Sequence, residues 1–266
     1  MRAAIITLLT DFGVEDAFVG VMKGVVLGIN PQVQLVDLTH AIPPQQIMAG
    51  ALVLRHAVTF FPPGTIHVAV VDPGVGSVRR PIAVRTAKGF LVGPDNGLLW
   101  PAARVSEVHS ARLIANAALL RHPVSQTFHG RDVFAPVAAH LSRGIDPQEV
   151  GPELSSIVEL PFPVARRTGS AISGAVVYVD HFGNLVTNIE VDAVMRFAAK
   201  DVSVSIGTRR VVGLATTYTA VPEGMPVAVL GSWGLLEIAV RNGNAAQVFA
   251  AGPGVPVSVV LEPRDA

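Results

Sequence analysis

The spacing of apolar and polar positions changes along the chain, and each spacing predicts a type of element. Ala3–Leu9, Val33–Leu38, Ile66–Val71, Ile82–Arg85 and Phe90–Val92 are short apolar or β-branched runs bounded by Gly, Pro or Asp, the pattern of buried strands. Between the first two, apolar Ala17, Val21, Val25 and Ile29 recur every fourth residue and predict a helix over Glu15–Ile29. Gly20, Gly24 and Gly28 form a second stripe on it, suited to close packing against a neighbouring element. Gln45–Phe60 and Asp132–Leu141 read as further helices. Strands alternating with helices give an α/β layer architecture with a largely parallel sheet.

Beyond Pro152 the texture changes. Leu160–Arg167 carries two prolines and two adjacent arginines and reads as a linker, which places a domain boundary near residues 160–170. After it come short strands at close spacing: Ala175–Val179, Leu185–Ile189, Val202–Ile206, Val211–Leu214, Val227–Leu230 and Val257–Leu261. Gly, Pro and Asn punctuate them, as in a small antiparallel barrel or sandwich.

Composition narrows the function classes. Half of the 266 residues are hydrophobic and 15% are charged, which fits a folded chain with a real core. Lys plus Arg equals Asp plus Glu at 20 each, so there is no broad electrostatic footprint for nucleic acid or an anionic membrane. The absence of cysteine excludes disulfides, thiolate nucleophiles, zinc ribbons and iron–sulfur clusters together. No stretch reaches the ~18 uninterrupted apolar residues of a membrane span. The opening run, Met1 to Gly13, reads as a first strand entering a turn rather than as a signal peptide. The expectation is a cytoplasmic protein with neither nucleic-acid nor membrane partners.

Several polar clusters fall where strands end. Thr10-Asp11-Phe12-Gly13 follows the first strand, where ligands of open α/β sheets sit. Asp11 there suits either a ribose diol or the cap of the following helix. Asp72-Pro73-Gly74-Val75-Gly76-Ser77-Val78-Arg79 follows another apolar strand. Its glycines resemble the start of a dinucleotide fingerprint, but Arg79 stands at the third glycine and Pro81 precludes the helix that should follow. What remains is Asp72 and Arg79 on a glycine-shaped loop, either an ion pair across a turn or parts of one site. In Phe128-His129-Gly130-Arg131-Asp132, Asp132 reads as a helix N-cap and His129 lies on the loop feeding it. Asp, Arg and His on strand-end loops of one domain together suggest a site. Farther on, Asp180-His181-Phe182-Gly183-Asn184 reads as a hairpin turn able to offer an aromatic face and an amide to a flat polar ring. Ser232-Trp233-Gly234-Leu235-Leu236-Glu237 also reads as turn chemistry. Asp37 and His40 lie close in sequence, but no paired ligand motif appears, so no metal is expected.

Taken together, these segments resemble the S-adenosyl-L-methionine hydroxide adenosyltransferases, relatives of the fluorinase and chlorinase. The resemblance spans almost the whole chain and rests on six stretches in order. They are Thr10–Gly13, Val70–Arg80, Gly93–Leu99, Phe128–Pro136, Asp180–Ile189 and Gly231–Val240. It implies an N-terminal Rossmann-like α/β domain over residues 1–162 and a small C-terminal antiparallel β-barrel over residues 163–266. By resemblance, Asp72, Arg79 and His129 fall on the water-handling triad of the hydrolytic members, Asp72 also counting as a substrate contact. Asp11 falls on the carboxylate that holds the ribose hydroxyls, and Asp180 on the contact to the methionine ammonium. Phe182 and Asn184 fall on adenine contacts, while Ser232, Glu237 and Val240 lie in the segment that closes over the adenine and methionine end. The resemblance further implies a homotrimer with sites between subunits, and S-adenosylmethionine as substrate with no cofactor.

Attack at the ribose C5′ expels methionine as a neutral thioether, so the reaction needs an aligned oxygen nucleophile and exclusion of bulk water. Asp72 and His129 both remain open as the proton acceptor, with Arg79 a stabiliser of developing hydroxide whose charge makes Asp72 a better positioner than base. Departures from the halogenating relatives favour water. Asp72 replaces their non-carboxylate residue, Gly130 stands at the fluorinase's halide-side serine, and Gln45 stands at an aromatic of its site. The fluorinase's long insertion before Gly93 is absent, and Trp233 stands at one of its arginines. The implied activity is hydrolysis to adenosine and L-methionine, with a halide adenosyltransferase and a non-catalytic sensor as the rivals.

Overall fold

The computed structural model describes residues 3–195 and 202–261. The chain divides after Leu160 into two units, each with its own core.

In the first unit, six strands form one sheet: β1 (Ile5–Thr10), β2 (Gln34–Thr39), β3 (Thr65–Val70), β4 (Pro81–Thr86), β5 (Gly89–Pro94) and β6 (Val108–Leu113). Their order is β2-β1-β3-β5-β4-β6. The β1, β2, β3 and β5 pairings are parallel, but β4 runs antiparallel to both β5 and β6. The sheet is therefore mixed rather than largely parallel. The reason is local: only Ala87 and Lys88 separate β4 from β5, enough for a hairpin but far short of a parallel crossover.

Helices α1 (Phe18–Ile29), α2 (Ile47–Ala57), α3 (Trp100–Ser106) and α4 (Ala135–Ser142) cover the two faces of this sheet. Leu8, Val68 and Val70 pack with Met22, Val26 and Val137 of α1 and α4. Leu9, Ala69 and Val71 pack with Leu54, Ala102 and Ala103 of α2 and α3. Alternate residues of one strand thus feed opposite cores, the period-two rule of a sheet buried on both sides. On α1 the buried stripe is Val19, Met22 and Val26, rotated from the expected one, and Val21 is exposed. Gly20, Gly24 and Gly28 have no neighbour within 4 Å of an added Cβ, so the expected close packing does not occur among the described residues. The expected strand and helix positions otherwise hold, while α3 and β6 were not anticipated.

The second unit contains β7 (Arg166–Thr168), β8 (Ala171–Val179), β9 (Leu185–Glu190), β10 (Val202–Ile206), β11 (Arg209–Val212), β12 (Pro226–Leu230), β13 (Leu235–Val240) and β14 (Pro256–Leu261). Short helices α5 (Val191–Val194) and α6 (Ala245–Phe249) interrupt them. The order is β11-β10-β14-β8-β9-β13-β12, all pairs antiparallel, with β7 beside β8. Long β8 pairs with β14 through its first half and with β9 through its second. A bridge between Ala215 and Val229 brings the chain after β11 back against β12, so the sheet is barrel-like and nearly closed. Inward positions such as Val176, Leu185, Val204, Leu236 and Val259 fill it. Strand β13 corrects the reading of Ser232–Glu237 as turn alone: the turn ends by Gly234, and Leu235 begins an apolar strand.

Candidate functional site

The candidate residues fall into two clusters, one in each unit. In the first unit, Asp72 lies just past β3, where the chain folds into a tight loop through Val75 N–H to Asp72 O (3.2 Å) and Ser77 N–H to Gly74 O (3.1 Å). Gly76 has φ +76°, and a Cβ there would run into the backbone oxygen of Gln126. The loop returns Arg79 onto Asp72. Arg79 Nε donates to Asp72 Oδ1 at 3.0 Å and Nη2 to Oδ2 at 2.5 Å, a two-pronged ion pair. Both side chains are over nine-tenths buried, and the guanidinium also lies 5.3 Å over the Phe134 ring.

The same Nη2 lies 2.6 Å from His129 Nδ1. Arginine offers only donors, so Nδ1 accepts, and a neutral ring carries its proton on Nε2. Burial first, and then the charge of Arg79, hold the His129 pKa below its ordinary value. Sequence reading therefore placed Asp72, Arg79 and His129 together, and the structure joins them in one hydrogen-bonded row. Arg79 Nη1 is buried and makes no hydrogen bond among the described residues.

Two cap readings are corrected. Asp132 does not cap α4. It sits inside a π-helical turn, Gly130–Phe134, where its buried carboxylate accepts from Arg131, Arg121 and Ser125 N–H and gathers the loop that presents His129. Asp11 does not cap α1 either, since that helix starts at Phe18 with no side-chain cap. Instead Asp11 Oδ2 accepts from Gln45 N–H at 2.8 Å, a backbone group held at φ +66°.

In the second unit, Asp180 organises the β8–β9 turn. Its Oδ1 accepts from Phe182 N–H (2.9 Å) and Asn184 N–H (2.8 Å), and its Oδ2 from the Asn184 amide (2.8 Å). Asn184 is buried, whereas the Phe182 ring stands 73% exposed at the tip. Asp180, Phe182, Asn184, Ser232, Glu237 and Val240 all line one cavity of about 860 Å³. Of two further liners, Tyr218 escaped sequence reading, and Trp233 entered it only as part of a turn and at the position of a fluorinase arginine. Tyr218 donates to buried Glu237 at 2.7 Å, and Trp233, stacked on Tyr178 with ring centroids 5.2 Å apart, forms part of the wall. Burial and the nearby Asp180 charge raise the Glu237 pKa against the pull of the Tyr218 hydrogen bond, and burial raises that of Tyr218 too. Tyr218 sits in a Thr-Thr-Tyr-Thr-Ala run that carries no turn or motif signal. Its role comes only from the fold bringing it beside β13.

Among the described residues no group of three His, Asp or Glu side chains is arranged to hold a metal ion. Asp37 is instead engaged by Lys23 Nζ at 2.6 Å and His40 Nε2 at 3.0 Å. Nor is any described helix long and apolar enough to cross a membrane.

Models of two protein domains match the chain. The SAM hydroxide adenosyltransferase N-terminal domain matches residues 6–151, and the C-terminal domain of the same family matches residues 174–258. A relative from Thermus thermophilus, named (R)-S-adenosyl-L-methionine hydrolase, is 42% identical over 259 residues, covering 95% of this chain and 98% of its own. Another of that name from Salinispora arenicola is 40% identical, covering 94% and 95%. The crystal structure of an uncharacterized conserved protein from Thermotoga maritima superimposes with a TM-score of 0.90 at 37% identity, over 96% of this chain and 99% of that one.

Proposed function

The chain belongs to the SAM hydroxide adenosyltransferase family, and on that premise we propose that it hydrolyses S-adenosyl-L-methionine to adenosine and L-methionine by attack of water or hydroxide at the ribose C5′. The relatives' names specify the R isomer, and the reading extends to that isomer here. The observation that carries it in this chain is the buried row Asp72–Arg79–His129, a carboxylate and two donors converging with no cofactor chemistry required.

Each member of the row has a role set by its bonds. His129 spends its only neutral-ring lone pair on Arg79, which leaves Nε2–H as a donor to the nucleophilic oxygen rather than as a base. Arg79 keeps Nη1 uncommitted among the described residues and offers positive charge to developing hydroxide. Asp72 accepts one bond on each oxygen, and each oxygen retains a lone pair, so it is the group able to take the water's proton. Methionine leaves as a neutral thioether and asks for no proton. In the second unit, the carboxylates of Asp180 and Glu237 share a cavity suited to the methionine ammonium, while Phe182 and Asn184 offer a ring face and an amide to adenine. Asp11 holds the ribose hydroxyls.

A carboxylate beside the nucleophile disfavours halide by charge. Gly130 adds a steric reason, because a Cβ there would lie 3.0 Å from Met22 Sδ and 3.2 Å from Phe128, leaving little room for the serine of the halogenating relatives. The first unit is read as Rossmann-like and the second as a β-barrel domain. The proposal extends to a homotrimer with sites completed between subunits. Exposed Phe18, Val21 and Leu27 beside the α1 glycine stripe give it an apolar face for association. Purified protein incubated with S-adenosylmethionine in chloride buffer should yield adenosine and methionine. A chlorinated nucleoside, or intact substrate bound without turnover, would replace this reading.

A further inference from the structure

The first strand ends in a hydrogen-bonded chain that the reaction scheme leaves unused. Thr10, the last residue of β1, is fully buried, and its Oγ1 lies 2.8 Å from His40 Nδ1. The same Oγ1 accepts from Phe12 N–H at 3.2 Å. Gly13 N–H donates to His40 O at 2.9 Å. The four residues Thr10 to Gly13, with Asp11 among them, are thus tied at both ends to His40.

His40 is in turn oriented by Asp37, whose Oδ1 lies 3.0 Å from His40 Nε2 while Lys23 Nζ holds the other carboxylate oxygen at 2.6 Å. Burial pushes the Asp37 carboxyl up, but the contacts with Lys23 and His40 more than reverse this, so it stays ionised. The carboxylate charge 3.0 Å away favours a proton on Nε2, although Nε2 makes no aligned hydrogen bond to it, and this leaves Nδ1 of the neutral ring bare. The Thr10 hydroxyl then has to donate to Nδ1, which leaves its lone pairs for Phe12 N–H. In that assignment Nδ1 is paired with the Thr10 hydroxyl, while Nε2 faces Asp37 at ion-pair distance without an aligned hydrogen bond. Three residues earlier on β1, Thr7 meets His67 at the same 2.8 Å, but that imidazole packs T-shaped against the Phe61 ring, and no carboxylate is paired with it among the described residues. That pair belongs to the core and supports no loop.

From this arrangement we propose that His40 is a positioning residue for the Asp11 carboxylate, acting through the Thr10 hydroxyl and oriented by Asp37. The inference rests on the reading of Asp11 as the ribose contact. The Gln45 N–H fixes one Asp11 oxygen, and the Thr10–His40 tie fixes the backbone that carries it, so the other oxygen is presented in one direction.

The test compares kcat/KM for S-adenosylmethionine with that for its 2′-deoxy analogue. Asp11→Asn should collapse the preference for the ribose substrate. Thr10→Val and His40→Gln, which remove the hydroxyl or its acceptor, should collapse it by roughly tenfold. Thr10→Ser should retain it, and so should His40→Asn, whose amide oxygen can stand in for Nδ1. Asp37→Ala, at a side chain 41% exposed and safe for folding, should reduce the preference partway. Thr7→Val is the matched buried control and should leave the ratio unchanged. If Thr10→Val, His40→Gln and Asp37→Ala slow both substrates equally with the ratio intact, His40 is merely structural and the proposal is overturned. If Asp11→Asn itself leaves the ratio intact, the ribose reading of Asp11 fails, and the proposal falls with it.

Discussion

His129 serves in this scheme only while neutral, because a second ring proton would fall on the nitrogen that faces Arg79. Its pKa is held below 6.5, first by burial and then by Arg79. The neutral form therefore persists as pH falls through 6.5, and kcat/KM should stay flat past that point and decline only below it. An acid limb centred at or above 6.5 would contradict the assignment. Asp72→Asn should lower kcat by roughly 100- to 1000-fold with a far smaller change in KM, since it removes a proton acceptor while the isosteric amide keeps the shape of the site. Equal loss of affinity and turnover would count against that role. His67 gives a stability prediction of its own. Burial pushes it down to about 4 from 6.5. Above 6.5 neither folded nor unfolded chain is protonated there; between 6.5 and about 4 only the unfolded chain takes the proton, so stability falls with pH by up to about 3 kcal/mol. Urea denaturation at both ends of that window should show a shallower loss for His67→Gln than for the parent.

Among the elements, the loop from Asp72 to Arg79 and the turn before α4 depend on each other. Gly76 abuts Gln126 O, which lies on the segment leading to His129. Gly76→Ala should therefore push the two apart, lowering kcat and destabilising the fold by about 1–3 kcal/mol. Gly252→Ala, with no neighbour within 4 Å and ordinary φ, should change neither. Much of this was legible. Apolar runs ending in Asp11, Asp72 and Asp180 announced strand ends, and strands place ligand groups there. The misses have physical causes. Helix α3 is seven residues long with Pro101 in its first turn, too short to show a period. A π-helical turn leaves no sequence signature, so Asp132 looked like a cap. Asp11 looked like one because Gln45, which claims its carboxylate, is 34 residues away.

On the scale of the whole molecule, the sheet order β2-β1-β3 explains why the first cluster forms. The chain leaves β1 toward β2 on one side and returns as β3 on the other, so the ends of β1 and β3 border a topological switch point, with Asp11 after one and Asp72 after the other. The alternation of strands and helices was readable from periodicity; the antiparallel β4 and the near-closure of the second sheet depend on pairings between distant residues and were not. Light scattering should give a mass three times that of the chain, and a monomer at working concentration would sink the trimer proposal. The central claim is that water forms the new bond at C5′. The most direct test is mass spectrometry of the nucleoside after one turnover in oxygen-18 water. The account predicts adenosine carrying one heavy oxygen at its 5′-hydroxyl, with unlabelled methionine beside it. Unlabelled adenosine, or a nucleoside with any other group at C5′, would contradict it.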